Sequence, residues 1–267
     1  MTLLALLGSI ELGIIYAIMA LGVFLSFRTL NMPDLTVDGS FVLGAAVSAI
    51  MTVFGHPWLG LILAAGAGFV AGSVTALLHT RLKIQPLLAG ILVMLALYSV
   101  NLRVMGGRAN IPLLNQSTIF ELLTANRYIQ HATDWINRVF MWTMTANDLA
   151  RLVIPLLLLI IFVALLFRFL QTRFGFILRA TGDNDQMVRA IGGNTNLTIL
   201  IGLAISNSLV AISGAVIAQY QSFADISMGV GMVVIGLASV IIGEVIFGIS
   251  SLLRRLLAVV LGALLYR

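Results

Sequence analysis

The stretch "GSFVLGAAVSAIMTVFGHPWLGLILAAGAGFVAGSVTALLHT", Gly39 to Thr80, decides how this chain is built. It contains no Asp, Glu, Lys or Arg. One helical crossing of a bilayer takes about 20 mostly apolar residues, so the run is too long for a single passage and too apolar for water. His56-Pro57 divides it, because proline is tolerated in the first turn of a helix, where amides lack intrahelical partners. Two spans follow, near residues 35–54 and 57–79. The whole chain is 60% hydrophobic and 9% charged, with a mean hydropathy of +1.10, whereas a soluble domain is about 25% charged. The apolar runs are continuous rather than alternating, which argues against a transmembrane β-barrel. The fold class expected is all-α, a polytopic integral membrane helical bundle.

Charge-free gaps place further spans at Leu12 to Phe27, Ile84 to Leu102, Leu152 to Phe167, about Leu197 to Tyr220, and Ser227 to Phe247, the last interrupted by Glu244. Another begins at Leu256, and the residues from there to Tyr266 are too few to cross upright. The expectation is about eight transmembrane helices in a single membrane domain over residues 1–267, with its C-terminal end missing. All five prolines, Pro33, Pro57, Pro86, Pro112 and Pro155, are expected in loops or first turns. The N-terminal "MTLLALLGSIELG" has no basic region or cleavage site and reads as the start of the first span. Basic residues set the orientation. With the N-terminus outside, Arg28, Arg81, Lys83, Arg168, Arg173, Arg179, Arg189, Arg254 and Arg255 lie inside. Arg103, Arg108, Arg127, Arg138 and Arg151 lie outside. Two polar segments remain. Residues 105–148 form an outside loop, in which Leu122, Tyr128, Ile129, Trp135 and Ile136 suit a short amphipathic helix at the headgroup level. Residues 171–196 form an inside loop.

Little in the sequence carries catalysis. There are no cysteines, hence no thiolate metal site or cysteine nucleophile. His56, His79 and His131 are scattered, with no metal-spaced pair, and no catalytic or metal-ligating set is assigned. Neither a GxSxG nor a Walker A sequence occurs, so ATP hydrolysis by the Walker route is not this chain's work. The sequence pI near 10.2 reflects arginines that fix topology rather than nucleic-acid binding. Gly229, Gly236 and Gly243 recur at heptad spacing, so they read as helix packing and as a candidate subunit or gate contact.

Acids at a membrane border need a reason. In "NMPDLTVDGSF", Asn31 to Phe41, Asp34 and Asp38 sit at the inner mouth of the second span. Asp34 can cap that helix. Asp38 is four residues on and would share its face, where like charges repel, so one cap does not explain both. Asp38, Gly39 and Ser40, with Glu244, are expected to line a polar inner vestibule or translocation path. In the inside loop "TRFGFILRATGDNDQMVRAIGGNTN", Asp183 reads as an N-cap. Met187, Val188 and Ile191 read as one side of a short helix, and Gly192-Gly193 as its stop. Such a helix is too short to stand alone. It rests on its own bundle or docks a soluble partner.

The segments "NMPDLTVDGSFVLGAA", "GGRANIPLL", "RFGFILRATGDNDQMVRAIGGNT" and "ADISMGVGMVVIGLASVIIGE" resemble permease subunits of ATP-binding-cassette importers. The group is that of the branched-chain amino-acid and ribose permeases, and within it the bacterial permeases paired with a tryptophan- or tyrosine-type binding protein. The resemblance implies a permease homodimer in the bacterial inner (cytoplasmic) membrane. Its partners would be a cytoplasmic ATP-binding subunit and a periplasmic or lipoprotein solute-binding protein. It implies no cofactor in this chain, with ATP and Mg on the ATPase. It assigns Thr181 to Gly193 as the coupling segment, with Arg179, Thr181, Gly182, Asp183, Asn184, Asp185, Met187, Val188, Ala190, Gly192 and Gly193 facing coupling to the ATPase. The solute would be small, an amino acid, moved by alternating access. A proton-driven secondary transporter using Asp38 or Glu244 is the alternative. A membrane-embedded enzyme ranks last, because no nucleophile or metal set joins those acids.

Overall fold

Each long apolar run has become a helix, and the irregular pieces between them fix how the helices meet. The computed structural model describes residues 3–114, 116–124 and 146–267. Helix α1 (Leu3–Val23) runs into a π-helical turn, Phe24–Thr29. Then come α2 (Thr36–Val53), α3 (Pro57–Leu82), α4 (Pro86–Val104), strand β1 (Asn110–Pro112) and α5 (Ile119–Thr124). The chain continues through α6 (Ala146–Gln171), α7 (Arg173–Asp183), α8 (Asp185–Ala190) and α9 (Thr195–Gln221). It closes with β2 (Phe223–Asp225), α10 (Met232–Phe247) and α11 (Leu252–Tyr266).

The architecture is an all-α polytopic membrane bundle. Among the described residues, six helices are long and apolar enough to cross a membrane: α1 with its π turn, α2, α3, α4, α6 and α9. Several expected boundaries change. The span expected over Ser227 to Phe247 shortens to α10, because residues 223–225 pair with β1 and Gly231 turns the chain at φ +83°. The last helix starts at Leu252 rather than Leu256, because the Ser251 hydroxyl accepts the Arg254 amide at 3.3 Å and caps it. Pro155 lies inside α6, not in a first turn. Membrane helices tolerate this where neighbouring groups take up the freed carbonyl. Of the amphipathic helix expected outside, α5 covers Ile119–Thr124, and Tyr128, Ile129, Trp135 and Ile136 lie outside the described residues.

Helix α9 is the axis. It packs on α3, α2 and α1, and small residues let the backbones come together, which is how helices associate in lipid. A Cβ added at Gly44 would overlap the carbonyl of Ala211, one at Gly72 that of Leu203, and one at Gly214 that of Phe41. Polar side chains of α9 then bond across these contacts. Ser206 donates to Gly22 O at 2.7 Å, Ser208 to Ala65 O at 2.9 Å and Ser213 to Ile15 O at 2.8 Å. Gln219 donates to Ser48 and to Pro57 O and accepts the amide of Ile119 at 3.0 Å.

Helix α2 covers only the outer part of α9. Its first turn meets Asn207 through Ser40, and its later turns meet Ala211 and Ala215. Asn207 lies about 18 Å along α9 from Thr195, at a rise of ~1.5 Å per residue. The chain from Leu30 to Leu35 is therefore non-helical inside the bundle. It stays bonded there: Leu30 N–H reaches Leu25 O at 3.1 Å and Met32 N–H reaches Ser26 O at 3.0 Å. Helix α10 starts at the same level, because Gly229 packs on the carbonyl of Asp38. It then runs down beside α1, with Gly236 against Val23, to an ion pair between Glu244 and Arg28.

Gly44→Ala and Gly66→Ala separate the two uses of glycine. Gly44 abuts backbone, whereas nothing lies within 4 Å of an added Cβ at Gly66. Thermal unfolding in detergent should show Gly44→Ala destabilised by about 1–3 kcal/mol, the usual cost of overpacking. Gly66→Ala should be neutral or stabilised by up to ~1 kcal/mol from helix propensity. Equal shifts would contradict the packing of α2 on α9.

Candidate functional site

The two acids of "NMPDLTVDGSF" both sit at helix origins. Asp34 Oδ1 accepts the Thr36 amide at 2.9 Å, and its Oδ2 accepts Asn207 Nδ2 at 2.7 Å. Asn207 Oδ1 in turn accepts the Ser40 hydroxyl at 2.7 Å. The amide thus has its donor and acceptor sides both matched, which fixes its orientation. Asp34 is buried, and the Thr36 and Thr75 hydroxyls close the cluster at 2.7 Å. Asp34 serves the start of α2 from just outside the helix, with Leu35 between. The two acids therefore do not share a helical face, and the repulsion expected from their spacing does not arise.

Asp38 lies in the first turn of α2, but its carboxylate caps another helix. It accepts the Gly231 amide at 3.0 Å and the Val233 amide at 2.8 Å, at the origin of α10. This capping role was not expected from the sequence, and it comes in addition to the place of Asp38 in a cavity wall. Each acid now faces the positive end of a helix that begins inside the bundle. One helix rises from that level and the other descends.

Beside Asp38 a cavity of about 220 Å³ opens between α2, α4 and the turn before α10. Asp38, Gly39, Met94, Tyr98, Asn101 and Val230 are among its walls. Asn101 Nδ2 donates to Gly39 O at 3.1 Å, and its Oδ1 is buried without a partner among the described residues. Ser40 is fully buried against Asn207 and does not line the cavity. Glu244 is held away from Asp38, bonded to Arg28 Nε at 2.9 Å at the other end of α10. Sequence reasoning missed Asn101, Asn207 and Gln219. The signal was present: carboxamides within otherwise apolar spans.

Gly229, Gly236 and Gly243 do pack helices, but not along one stripe. Gly229 precedes α10 and meets Asp38, Gly236 meets Val23 of α1, and Gly243 meets Ala258 of α11. Each contact lies within this chain.

At the other end of the bundle, three side chains cap three consecutive helices. Thr172 accepts the Gly175 amide at 3.1 Å, Asn184 accepts that of Met187 at 3.0 Å, and Asn194 accepts that of Leu197 at 3.1 Å. Asp183 is the last residue of α7, so the N-cap expected there is Asn184, whose backbone is extended. Val188 is 2% exposed, while Met187 is 57% and Ile191 76% exposed. The three therefore do not form one face: Val188 anchors α8, and the other two point outward. Gly192, at φ +86°, and Gly193 turn the chain back, with Gly193 N–H donating to Val188 O at 2.8 Å. Asp185 pairs with Arg189 at 3.0 Å. Asp183, Asn184, Ala190 and Gly192 are exposed, whereas Thr181 is buried and bonded to Ile177 O. Gly182 is pressed against the carbonyl of Thr29. Arg179 turns under α7, over the ring of Phe176 at 4.5 Å.

A bundle of discontinuous apolar helices, with a capped helix held out at the end rich in arginine, is the form of a membrane transport subunit. The chain belongs to the family described as branched-chain amino acid transport system / permease component, which matches residues 5–267. It is an ATP-binding-cassette importer permease of the branched-chain and ribose group. It is 36% identical to the tyrosine transport system permease protein of Clostridioides difficile, over 96% of this chain and 78% of that protein. It is 35% identical to an uncharacterized protein of Rickettsia prowazekii, over 98% of this chain and 86% of the other. The galactofuranose transporter permease protein of Escherichia coli is 28% identical over 78% of this chain and 54% of that protein. No solved structure matches the chain.

The two helix origins should differ in cost. Asn207→Ala leaves the buried Asp34 carboxylate short of a donor and should destabilise the protein by about 3 kcal/mol or more. Asp38→Ala removes a cap and should cost about 1–2 kcal/mol, with Asp38→Asn recovering part of it. Thermal unfolding of the three variants in detergent checks this order. A larger loss in Asp38→Ala than in Asn207→Ala would refute it.

Proposed function

We propose that this chain imports an aromatic amino acid of the tyrosine type. It works as a homodimer in a bacterial inner membrane, with a cytoplasmic ATPase and a solute-binding protein outside. The family and the likeness to a tyrosine transport permease support the amino acid. The observation that carries the mechanism is the pair of exposed apolar side chains, Met187 on α8 and Ile191 just past its end, beside the anchor Val188. A helix this short needs a surface to pack on, and the ATPase supplies it. ATP and Mg²⁺ belong to that partner, and this chain has no ATPase site of its own.

The route from α8 inward is short. Gly182, two residues before the α8 cap, bears on Thr29, and Leu30 and Leu178 both bear on Gly202. A displacement of α7 and α8 by the ATPase therefore acts on the non-helical segment Leu30–Leu35. That segment ends on Asp34, at the origin of α2. The cavity walled by Asp38, Gly39 and Asn101 is the proposed solute path, and its width depends on where α2 and α10 begin. Asp38 is engaged by two amides and Glu244 by Arg28, so neither of the two acids on which a proton-driven reading would rest stands free.

Met187→Asp with Ile191→Asp should leave the permease folded and abolish both co-purification of the ATPase and ATP-driven uptake of labelled tyrosine. Uptake by the intact system should stop on ATP depletion and persist after an uncoupler. Normal ATPase binding by the double variant would overturn the docking role, and uptake that collapses with the uncoupler alone would overturn the energy source.

A further inference from the structure

The π turn after α1 and the facing ends of α7 and α11 enclose a cavity of about 340 Å³, separate from the one beside Asp38. Arg28, Arg179 and Arg255 line it, with Asp183, Phe176 and Leu252. Charge there is not balanced. Among the described residues the ion pairs are Arg28 with Glu244 and Arg189 with Asp185, and Arg179 and Arg255 form none. Arg179 Nε is buried without a hydrogen-bond partner among the described residues, and its guanidinium carbon lies over the ring of Phe176. Arg255 is held toward the cavity by its Nε–H bond to Ile249 O at 2.9 Å. The positive N-terminal end of α11 adds to the same field, because Leu252 is its first residue.

Three guanidinium groups and a helix origin converge on a space the size of a headgroup. Guanidinium forks match the oxygens of a phosphate. The rim is apolar at Phe176, an exposed wall residue, and at Ile249, whose carbonyl holds Arg255, and the exposed Phe27, Ile177 and Leu253 adjoin wall residues in sequence. A free anion gains nothing from that rim, but a phospholipid would lay its acyl chains there. Basic pockets between helices on the cytoplasmic side recognise anionic lipids in this way.

We propose that this cavity binds the phosphodiester headgroup of an anionic inner-leaflet phospholipid. The lipid bridges α1, α7 and α11, and so braces the base from which α8 projects.

The test is native mass spectrometry of the purified full chain exchanged into phosphatidylglycerol or phosphatidylcholine. Wild-type protein should retain phosphatidylglycerol in preference. Arg179→Gln and Arg255→Gln should each lower that retention about fivefold, and the pair about 25-fold, since a basic residue at a membrane surface contributes roughly a factor of five. Arg81→Gln, which removes one inner charge elsewhere, should change it little. Variants are compared only as monodisperse protein, and the single substitutions carry the test if the double variant does not fold. Equal loss in Arg81→Gln, or no loss in either single variant, would overturn the assignment. Inorganic phosphate that displaces the lipid with the same arginine dependence would assign the site to a soluble anion, and overturn it too.

Discussion

The hydrogen bond from Asn207 to Asp34 holds the rest of the bundle in place. Between the π turn and α2 the chain leaves the helix while still inside the bundle, and backbone there has no water to bond. Asp34 takes up the first free amide of α2, and Asn207 takes up the remaining oxygen of Asp34. Asn207 can do this because Gly68 lets α3 lie directly on its backbone and leaves its side chain to face α2. Remove the carboxamide and a buried carboxyl oxygen loses its partner, the segment Leu30–Leu35 loses its end point, and α2 loses its starting depth.

From that start, Asp38 sets the origin of α10. Its backbone carbonyl bears on Gly229 and its carboxylate takes two amides of the turn into α10. The two breaks are thus linked within one turn of α2. In the proposed mechanism a shift of Leu30–Leu35, which α7 touches through Gly182, moves both helix origins and the cavity between them. Oxygen acceptors supplied by the protein occupy the positive helix ends, so the polar cost of breaking two helices inside lipid is met locally. Family membership explains why such breaks exist in a transport subunit: continuous, straight helices leave no element that can move without shearing a packed core.

Much of this was legible in the sequence. The charge-free run Gly39 to Thr80 gives a membrane bundle, and His56-Pro57 places the α2–α3 turn to the residue. The polar loop over residues 171–196 could be read as a short helix stopped by Gly192-Gly193, because capping and turn chemistry are local. What failed was what depends on distant partners. Asp38 could not be paired with Gly231 and Val233, which lie far along the chain, so its place beside a cavity was expected but its capping of α10 was not. Met187 and Val188 read as one face although adjacent helical residues point about 100° apart. Hydropathy also carried the seventh span back to Ser227, because Gly229, Val230 and Gly231 are apolar whether helical or not. Their turn is set by β2 pairing with β1, a contact no local pattern announces.

Because the chain has no cysteine, a single introduced one tests the broken helices directly. Asn31 lines a cavity of about 350 Å³ shared with Thr181 to Gln186, and Ser227 is exposed at the turn between β2 and α10. A side chain at the left-handed position 31 costs about 1 kcal/mol, which leaves the fold intact. With a membrane-impermeant thiol reagent, Asn31→Cys should react only from the side that carries α8, and Ser227→Cys only from the opposite side. If Asn31→Cys is unreactive from both sides, or reacts from the same side as Ser227→Cys, helix α2 does not begin inside the bundle above a cytoplasmic cavity, and the account fails at its centre.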